Sequence, residues 1–220
     1  LGFVLGPRIN AAGRVGTADL GARLLATDDP AEAEALAARL EAMNRERREV
    51  EARVLDAAML QAEARGADGP LVWAAGEGWH KGVVGIVAAR LKEAFGRPAV
   101  VIGMEGAEGT GSGRSVEGVD LGAAVSALAR EGLLLKGGGH RMAAGLTVAA
   151  AGLEAAMARL SERLAKQGAG AGGPRELRLD GAVAPGGATP ELCEMLEAAG
   201  PFGQSAPAPR FALAGVRVAY

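Results

Sequence analysis

The pattern of apolar residues first predicts one long helix. Asp28-Asp29-Pro30 combines an acidic cap with a proline in the first turn, and no glycine or proline follows until Gly66. Between them, apolar side chains recur at helical spacing in one stripe that Arg47 interrupts. The stripe consists of Leu36, Leu40, Met43, Val50, Val54 and Leu60. A helix over about 30–64 would span roughly 50 Å at ~1.5 Å per residue, so we expect it to connect two bodies.

The next region alternates apolar runs with glycine-rich segments, as α/β proteins do. Leu71–Ala75 is predicted as a buried strand, followed by a loop over 76–82, a helix over 83–95 that ends at Gly96, and a strand over 98–102. This order predicts a βαβ unit with parallel strands and a right-handed crossover. The remaining predicted elements of this region are helices over 121–130 and 153–167 and a short strand over 146–148.

Glycine and proline mark the segments that we predict as irregular. Gly6-Pro7 argues against a regular helix, so residues 5–14 are expected to form a tight loop ahead of a short helix over 20–25. Gly109–Ser115 and Lys136–Arg141 are predicted as loops for the same reason.

The last fifty residues differ in composition. Gly168–Pro174 is predicted as a flexible linker. The elements predicted beyond it are a strand over 176–180, a helix over 191–199 that begins at Thr189-Pro190, a turn over 200–203 and a strand over 211–220.

Composition and charge narrow the function classes only slightly. The net charge is −2, so any contact with nucleic-acid phosphates must come from local clusters of cations. The single Cys193 cannot form an internal disulfide and suits a reducing cytoplasm. No apolar run approaches the ~18 residues of a membrane span, and we expect no membrane partner. Because the chain starts at Leu1 and stops inside a strand-like run, we expect it to be a piece of a longer protein.

The first candidate site is the run Lys136-Gly137-Gly138-Gly139-His140 with Arg141 after it. Consecutive glycines let backbone N–H groups approach a ligand, and the flanking cation and histidine favour an anion, most simply a phosphate. The alternative is a flexible turn with a surface histidine.

Two further segments are candidates for the same chemistry. Ser112-Gly113-Arg114-Ser115 offers two hydroxyls and a guanidinium fork that matches phosphate oxygens, and its alternative is a β-turn with a surface arginine. Trp79-His80-Lys81 follows a strand and precedes a helix, where α/β proteins bind ligands. Its alternative is a loop closed by packing of the histidine and tryptophan. Arg45–Arg48 is either a salt-bridged helix face or a phosphate-binding one.

The sequence offers no set of metal ligands and no assignable catalytic residues. Its two histidines are 60 positions apart, and no acidic cluster has ligand spacing.

Four of these segments together resemble the RecJ family of single-strand-specific exonucleases, within the DHH phosphoesterase superfamily. They are Leu5–Arg14, Trp79–Arg90, Gly111–Ser115 and Gly137–Gly145. The resemblance implies an α/β fold with a long connecting helix, a βαβ-containing DHH-associated domain with a mixed sheet flanked by helices, and the start of an OB-like β domain. The implied bounds are 1–27 for the tail end of the DHH catalytic domain, 28–66 for the helix, 67–168 for the DHH-associated domain, 169–174 for a linker and 175–220 for a partial OB fold.

The resemblance also implies roles for particular residues. Ser112, Gly113 and Arg114 would bind a phosphate near the 5′ end of the substrate. Gly138, Gly139 and His140 would contact the phosphate beside the metals. The other wall of the cleft would consist of Arg8, Asn10 and Arg14, with His80 and Lys81 in support.

The implied reaction is hydrolysis of a phosphodiester by metal-activated water. Mn²⁺ or Mg²⁺ would be held by a domain that this chain lacks, so we expect no metal site, no catalytic residue and no hydrolysis here. The expected partners are single-stranded DNA, preferably at a 5′ end, and DNA-repair proteins. Two alternatives stay open: a phosphodiesterase of the same superfamily for short RNA or cyclic dinucleotides, and a non-catalytic module that binds a repair partner.

Overall fold

The computed structural model describes residues 4–16, 18–170, 177–203 and 206–217. They divide into two compact units, with the boundary at residues 171–172. None of the helices in these ranges is long and apolar enough to cross a membrane.

The first unit begins with four helices. Their bounds are α1 Leu5–Ile9, α2 Ala12–Val15, α3 Leu20–Ala26 and α4 Pro30–Arg65. Helix α4 confirms the predicted long helix and its cap, since the Asp29 carboxylate accepts from the N–H of Ala31 at 2.9 Å. The tight loop expected over 5–14 is wrong, because Gly6 and Pro7 lie inside α1. Pro7 occupies the first turn, where backbone N–H groups have no partner within the helix.

Helix α4 contributes to two separate clusters of buried residues. Its first half buries Leu36 and Leu40 against Ala12 and Leu20. Its second half buries Val54, Ala58 and Ala62 against the first strands of the sheet and the helix between them. The predicted stripe is wrong at Leu60, which is 69% exposed, because small alanines make the close contact there instead.

A five-stranded mixed sheet forms the rest of this unit. The strands are β1 Val72–Glu77, β2 Ala99–Glu105, β3 Glu108–Arg114, β4 Lys136–His140 and β5 Ala143–Ala149, in the spatial order β1-β2-β3-β5-β4. The parallel pairing of β1 with β2 was predicted and is confirmed, and the other pairs are antiparallel. Three helices accompany the sheet: α5 Lys81–Phe95, α6 Leu121–Arg130 and α7 Leu153–Ala165.

The two faces of the sheet are covered differently. Helices α4 and α5 pack on one face, which we call the α5 face, over residues such as Ala74 and Val101. Helices α6 and α7 pack on the opposite face, the α6 face, over Ile102, Leu146 and Val148.

The predicted loops over 109–115 and 136–141 are wrong, because these residues form β3 and β4. In β3 a glycine occupies every second position, on the α6 face. A Cβ at Gly113 would lie 2.7 Å from Leu121 Cδ2, and one at Gly111 would lie 2.8 Å from Ile102 Cγ1. These glycines therefore make room for neighbouring apolar side chains within a regular strand.

The second unit contains α8 Pro190–Ala198, a 3₁₀ turn over Pro185–Gly187 and a two-stranded parallel sheet of β6 Gly181–Ala182 and β7 Phe211–Ala212. Thr189 caps α8, as predicted, by accepting from the N–H of Leu192 at 3.3 Å. The strand predicted over 176–180 is wrong at 177–180, and the one predicted from residue 211 shortens to two residues. Residues 176 and 218–220 lie outside the described ranges, and the OB-like assignment stays a prediction.

The predicted linker begins too early. Ala169 is 7% exposed and packs in the main core, and its N–H donates to the Leu164 carbonyl at 3.0 Å. Residues 168–170 therefore belong to the α/β unit, whereas 171–174 lie outside the described ranges.

Candidate nucleic-acid interface

The N-terminus of α5 is the centre of the candidate site. His80 is its N-cap, and the ring Nδ1 accepts from the N–H of Gly82 at 3.0 Å. In this bond Nδ1 acts as the acceptor that caps the first turn of the helix. His80 thus has a supporting role, while the exposed Lys81 begins the helix.

Trp79 packs rather than projects. A Cβ placed on Gly76 would overlap the Trp79 indole at Cε2, Nε1 and Cδ2. The indole therefore lies against Gly76 of β1, and it packs partly buried on the core of the α5 face. The packing alternative therefore describes Trp79 better than a ligand contact does.

Arg14 reaches the same helix end from α2. Its Nη1 donates to the Gly82 carbonyl at 3.1 Å, and a Cβ on Gly82 would overlap the Arg14 carbonyl. Gly82 is therefore required for the close approach of α2 to α5. Arg14, His80 and Lys81 consequently line one surface pocket.

Ser112 and Arg114 extend from β3 over the same helix. The Arg114 Nη1 donates to Ser112 Oγ and to the Gly113 carbonyl, both at 2.8 Å. A Cβ on Gly85 of α5 would lie 3.0 Å from Arg114 Nη2 and 3.1 Å from Ser112 Oγ. Sequence reasoning missed Gly85, whose only signal was a glycine inside an apolar helix.

The electrostatics of this cluster favour an anion. Burial lowers the pKa of Arg114, and the positive charge of Arg14 lowers it further. Arginine is so strong a base that this lowering leaves Arg114 charged at neutral pH. Within the described ranges, neither Arg14 nor Arg114 forms an ion pair with a carboxylate. A bound phosphate would relieve the repulsion between the two cations.

The glycine-histidine segment lies across the sheet from Arg114. Pairing places Arg114, Ala143 and His140 in one row over β3, β5 and β4, so His140 is two strand spacings, roughly 10 Å, from Arg114. The row formed by Ser112, Gly145 and Gly138 runs beside it.

The three glycines of β4 occupy their positions for different structural reasons. A Cβ on Gly137 would lie 2.9 Å from Val125 Cγ1, and Gly139 has a φ of 157° with the Ala144 Cα 2.5 Å from its Cβ position. These two are required by packing. Gly138 has open space, since its nearest neighbour would be Ser126 Oγ at 3.9 Å. Of the three glycines, packing leaves only Gly138 unexplained, so Gly138 is the one that a ligand contact would account for.

Three predicted site residues are placed elsewhere. Gly113 is buried beneath Leu121 on the α6 face, so packing explains it. The Arg8 guanidinium pairs with Glu41 of α4 and donates to the Val4 carbonyl at 2.6 Å. Asn10 is exposed at the end of α1.

Mn²⁺ or Mg²⁺ does not fit the residues seen here. Within the described part of the chain, no three or more His, Cys, Asp or Glu side chains are grouped so that they could hold a metal ion. We therefore derive no catalytic step through a metal bound by these residues.

Comparison with known proteins agrees with this architecture. Residues 68–166, which cover the sheet with α5, α6 and α7, match the DHHA1 domain. The α/β unit is therefore a DHHA1-type domain preceded by a long helix. The chain as a whole belongs to the RecJ family.

Relatives from several bacteria support membership of the RecJ family. The chain is 39% identical over 227 residues to the single-stranded-DNA-specific exonuclease RecJ of Escherichia coli, covering 96% of this chain and 38% of that protein. It is 40% identical over 164 residues to RecJ of Bacillus subtilis, covering 74% of this chain and 21% of that protein. The chain thus spans less than two fifths of these relatives.

A solved structure has the same fold. RecJ of Thermus thermophilus in complex with Mn²⁺ superposes with a TM-score of 0.79 at 34% identity, covering 94% of this chain and 30% of that one. The same protein is also known in complex with Mg²⁺, with a TM-score of 0.78 at 33% identity and 94% of this chain covered.

Proposed function

We propose that this chain is the nucleic-acid-binding part of a 5′-to-3′ single-stranded DNA exonuclease of the RecJ type, acting in DNA repair and recombination in the cytoplasm. Hydrolysis would use Mn²⁺ or Mg²⁺ held by another part of the protein. The metal would activate water, and the residues here would hold the strand and balance its charge.

The proposal rests mainly on the convergence of Arg14 and Arg114 at the N-terminus of α5. Both cations come from separate elements, and neither has a carboxylate partner among the described residues. The contacts of Arg114 Nη1 with Ser112 and Gly113 fix the guanidinium, and its Nη2 and Nε donate no hydrogen bond to the described residues. A helix N-terminus beside them adds partial positive charge.

His140 and Gly138 would form the opposite side of this interface. The exposed His140 lies in the same row as Arg114, and the absence of a side chain at Gly138 leaves the backbone open. Both could contact a second phosphate of the same strand. Four predicted residues are less suited to bind the strand, namely Arg8, Asn10, Gly113 and Gly139. An ion pair explains Arg8, and packing explains the two glycines.

Binding and cleavage assays test the proposal with the chain as it exists. We expect 1–220 to bind single-stranded DNA more tightly than a dinucleotide, and a 5′-phosphorylated strand more tightly than a 5′-hydroxyl one. With Mn²⁺ added, labelled DNA should stay intact. Preference for cyclic dinucleotides or short RNA, or rapid metal-dependent degradation of DNA by 1–220, would contradict it.

A further inference from the structure

A third row of residues crosses the same part of the sheet. Thr110 of β3 pairs with Thr147 of β5, which pairs with Lys136 of β4. Paired residues of neighbouring strands point to the same face, so these side chains share the α5 face with Ser112 and Arg114. The row brings two hydroxyls and an ammonium group together.

The α5 face is open at this row, although β5 is an interior strand. Along β5, Ala144, Leu146 and Val148 are buried on the α6 face, whereas Gly145 is exposed and Thr147 is partly exposed. Thr110 and Lys136, on either side, are exposed. The outcome is a shallow surface pocket of about 420 Å³ that these three polar residues line together with Gly138 and Gly145.

The polar side chains of this row have no partners among the described residues. In the ranges that the structure describes, Thr110, Thr147 and Lys136 make no side-chain hydrogen bond, and Lys136 forms no ion pair. The row that contains Lys136 also has no carboxylate. Glu108 lies one row further along β3, so the hydrogen-bond donors on this face of β3 stop at Thr110.

We propose that Thr110, Thr147 and Lys136 form a second phosphate-binding subsite, which extends the nucleic-acid path from Arg114 across β5 to the far end of β4. This inference rests on the proposed function, because it assumes that a strand is held at Arg114. Lysine and threonine donors are typical contacts of nucleic-acid phosphates and carry no base information.

The floor of the pocket favours a nucleic-acid strand over a peptide. Gly138 and Gly145 have no side chains, and a Cβ on Gly145 would find its nearest neighbour only at 4.0 Å. Leu146 also lines the pocket, but it is only 3% exposed and gives a peptide little apolar surface to bury. The surface offers donors and open backbone instead, which suits a strand of repeating negative charge.

The distance between the two subsites makes a prediction about length. Arg114 and Thr110 are four residues apart on β3, which corresponds to roughly 14 Å. This is about four nucleotides at the ~3.4 Å rise of a stacked strand. A strand shorter than this would reach only the Arg114 subsite, whereas a longer one would reach both.

The test is binding of 5′-phosphorylated oligothymidine of about two and about twelve nucleotides to 1–220, measured over a range of salt concentrations. Lys136→Ala should weaken the longer strand about three- to tenfold and leave the shorter one unchanged. The salt dependence should fall by ~0.7 in the slope of log K against log[salt]. The double variant Thr110→Val, Thr147→Val, which keeps side-chain shape, should weaken the longer strand in the same direction.

Lys166→Ala is the matched control, because Lys166 is an exposed lysine of the groove between α6 and α7. The proposal is overturned if Lys136→Ala and the double valine variant bind the longer strand as wild type does, or if Lys166→Ala has an equal effect. Arg114→Ala separates the two ideas. If it weakens both lengths while Lys136→Ala changes nothing, the proposed function stands and this subsite falls; if Arg114→Ala changes neither length, the proposed function falls.

Discussion

Two arginine-rich regions of the α/β unit differ in what neutralises them. On α7, Arg159 and Arg163 both pair with Glu131, and Arg159 also bonds Glu162 at 2.9 Å. Hydrogen bonds from Arg159 and then Arg163 lower the pKa of Glu131. At the N-terminus of α5, burial and then the charge of Arg14 lower the pKa of Arg114, and neither arginine has a carboxylate partner in the described ranges.

The difference shows why charge counts alone say little about function. Both regions present arginines beside a pocket, and the one between α6 and α7 is also lined by Arg130 and Lys166. There the protein itself supplies the anions for Arg159 and Arg163. Arg130 and Lys166 form no ion pair in the described ranges, but at the α5 end two unpaired arginines converge on one helix N-terminus, which makes it the better candidate for a ligand anion.

The largest expected effect is loss of Arg114. We predict that Arg114→Ala in the complete enzyme lowers exonuclease activity more than tenfold, which is over ~1.4 kcal/mol of transition-state stabilisation. The reason is that no other described side chain replaces its fork at this position. Arg159→Ala is the control and should change activity less than twofold. A rate for Arg114→Ala close to wild type would refute its assignment.

A smaller effect is expected from a methyl group at Gly85. A Cβ there would lie 3.0 Å from Arg114 Nη2 and 3.1 Å from Ser112 Oγ, so both groups must move by a few tenths of an ångström. We predict several-fold weaker DNA binding by Gly85→Ala, with thermal stability kept because alanine favours helices by ~1 kcal/mol over glycine. Unchanged DNA affinity would show that the position of the guanidinium is not critical.

The smallest effect concerns Glu131 and acid stability. Its pKa is lower in the folded chain than the ordinary ~4.3, so its ion pairs stabilise the fold above that pH and lose this contribution as pH falls through the lowered value. Denaturation of Glu131→Gln should therefore depend less on pH in this acidic range than denaturation of wild type. Equal pH profiles for the two proteins would contradict the role given to these pairs.

Much of the fold could be predicted because its signals are local. The cap at Asp29, the end of α5 at Gly96 and the parallel β1–β2 pair follow from residues close together in the sequence, whereas α5 begins two residues before its predicted start. β3 was missed because glycine usually marks a turn. Its alternation of Gly109, Gly111 and Gly113 with polar residues has the period of a strand, but only the packing of Leu121 and Ile102 explains why the inward positions are glycine.

The candidate site was predictable in its parts and not in its assembly. Ser112 and Arg114 stand out in the sequence, yet only the fold brings Arg14 to the same helix end. In the sequence, Arg8 is as good a candidate for a phosphate contact as Arg14. In the structure, Arg8 pairs with Glu41 of α4. Ion pairs between distant segments decide which arginines stay available, and a single sequence does not reveal such pairs.

The most direct test of the central claim is the salt dependence of single-stranded DNA binding by 1–220, compared among wild type, Arg114→Ala and Arg159→Ala. We predict that Arg114→Ala weakens binding at least tenfold and reduces the slope of log K against log[salt] by ~0.7. Arg159→Ala should match wild type in both quantities. Equal losses in the two variants, or no loss in Arg114→Ala, would contradict the claim that the unpaired arginines at the α5 end hold the strand.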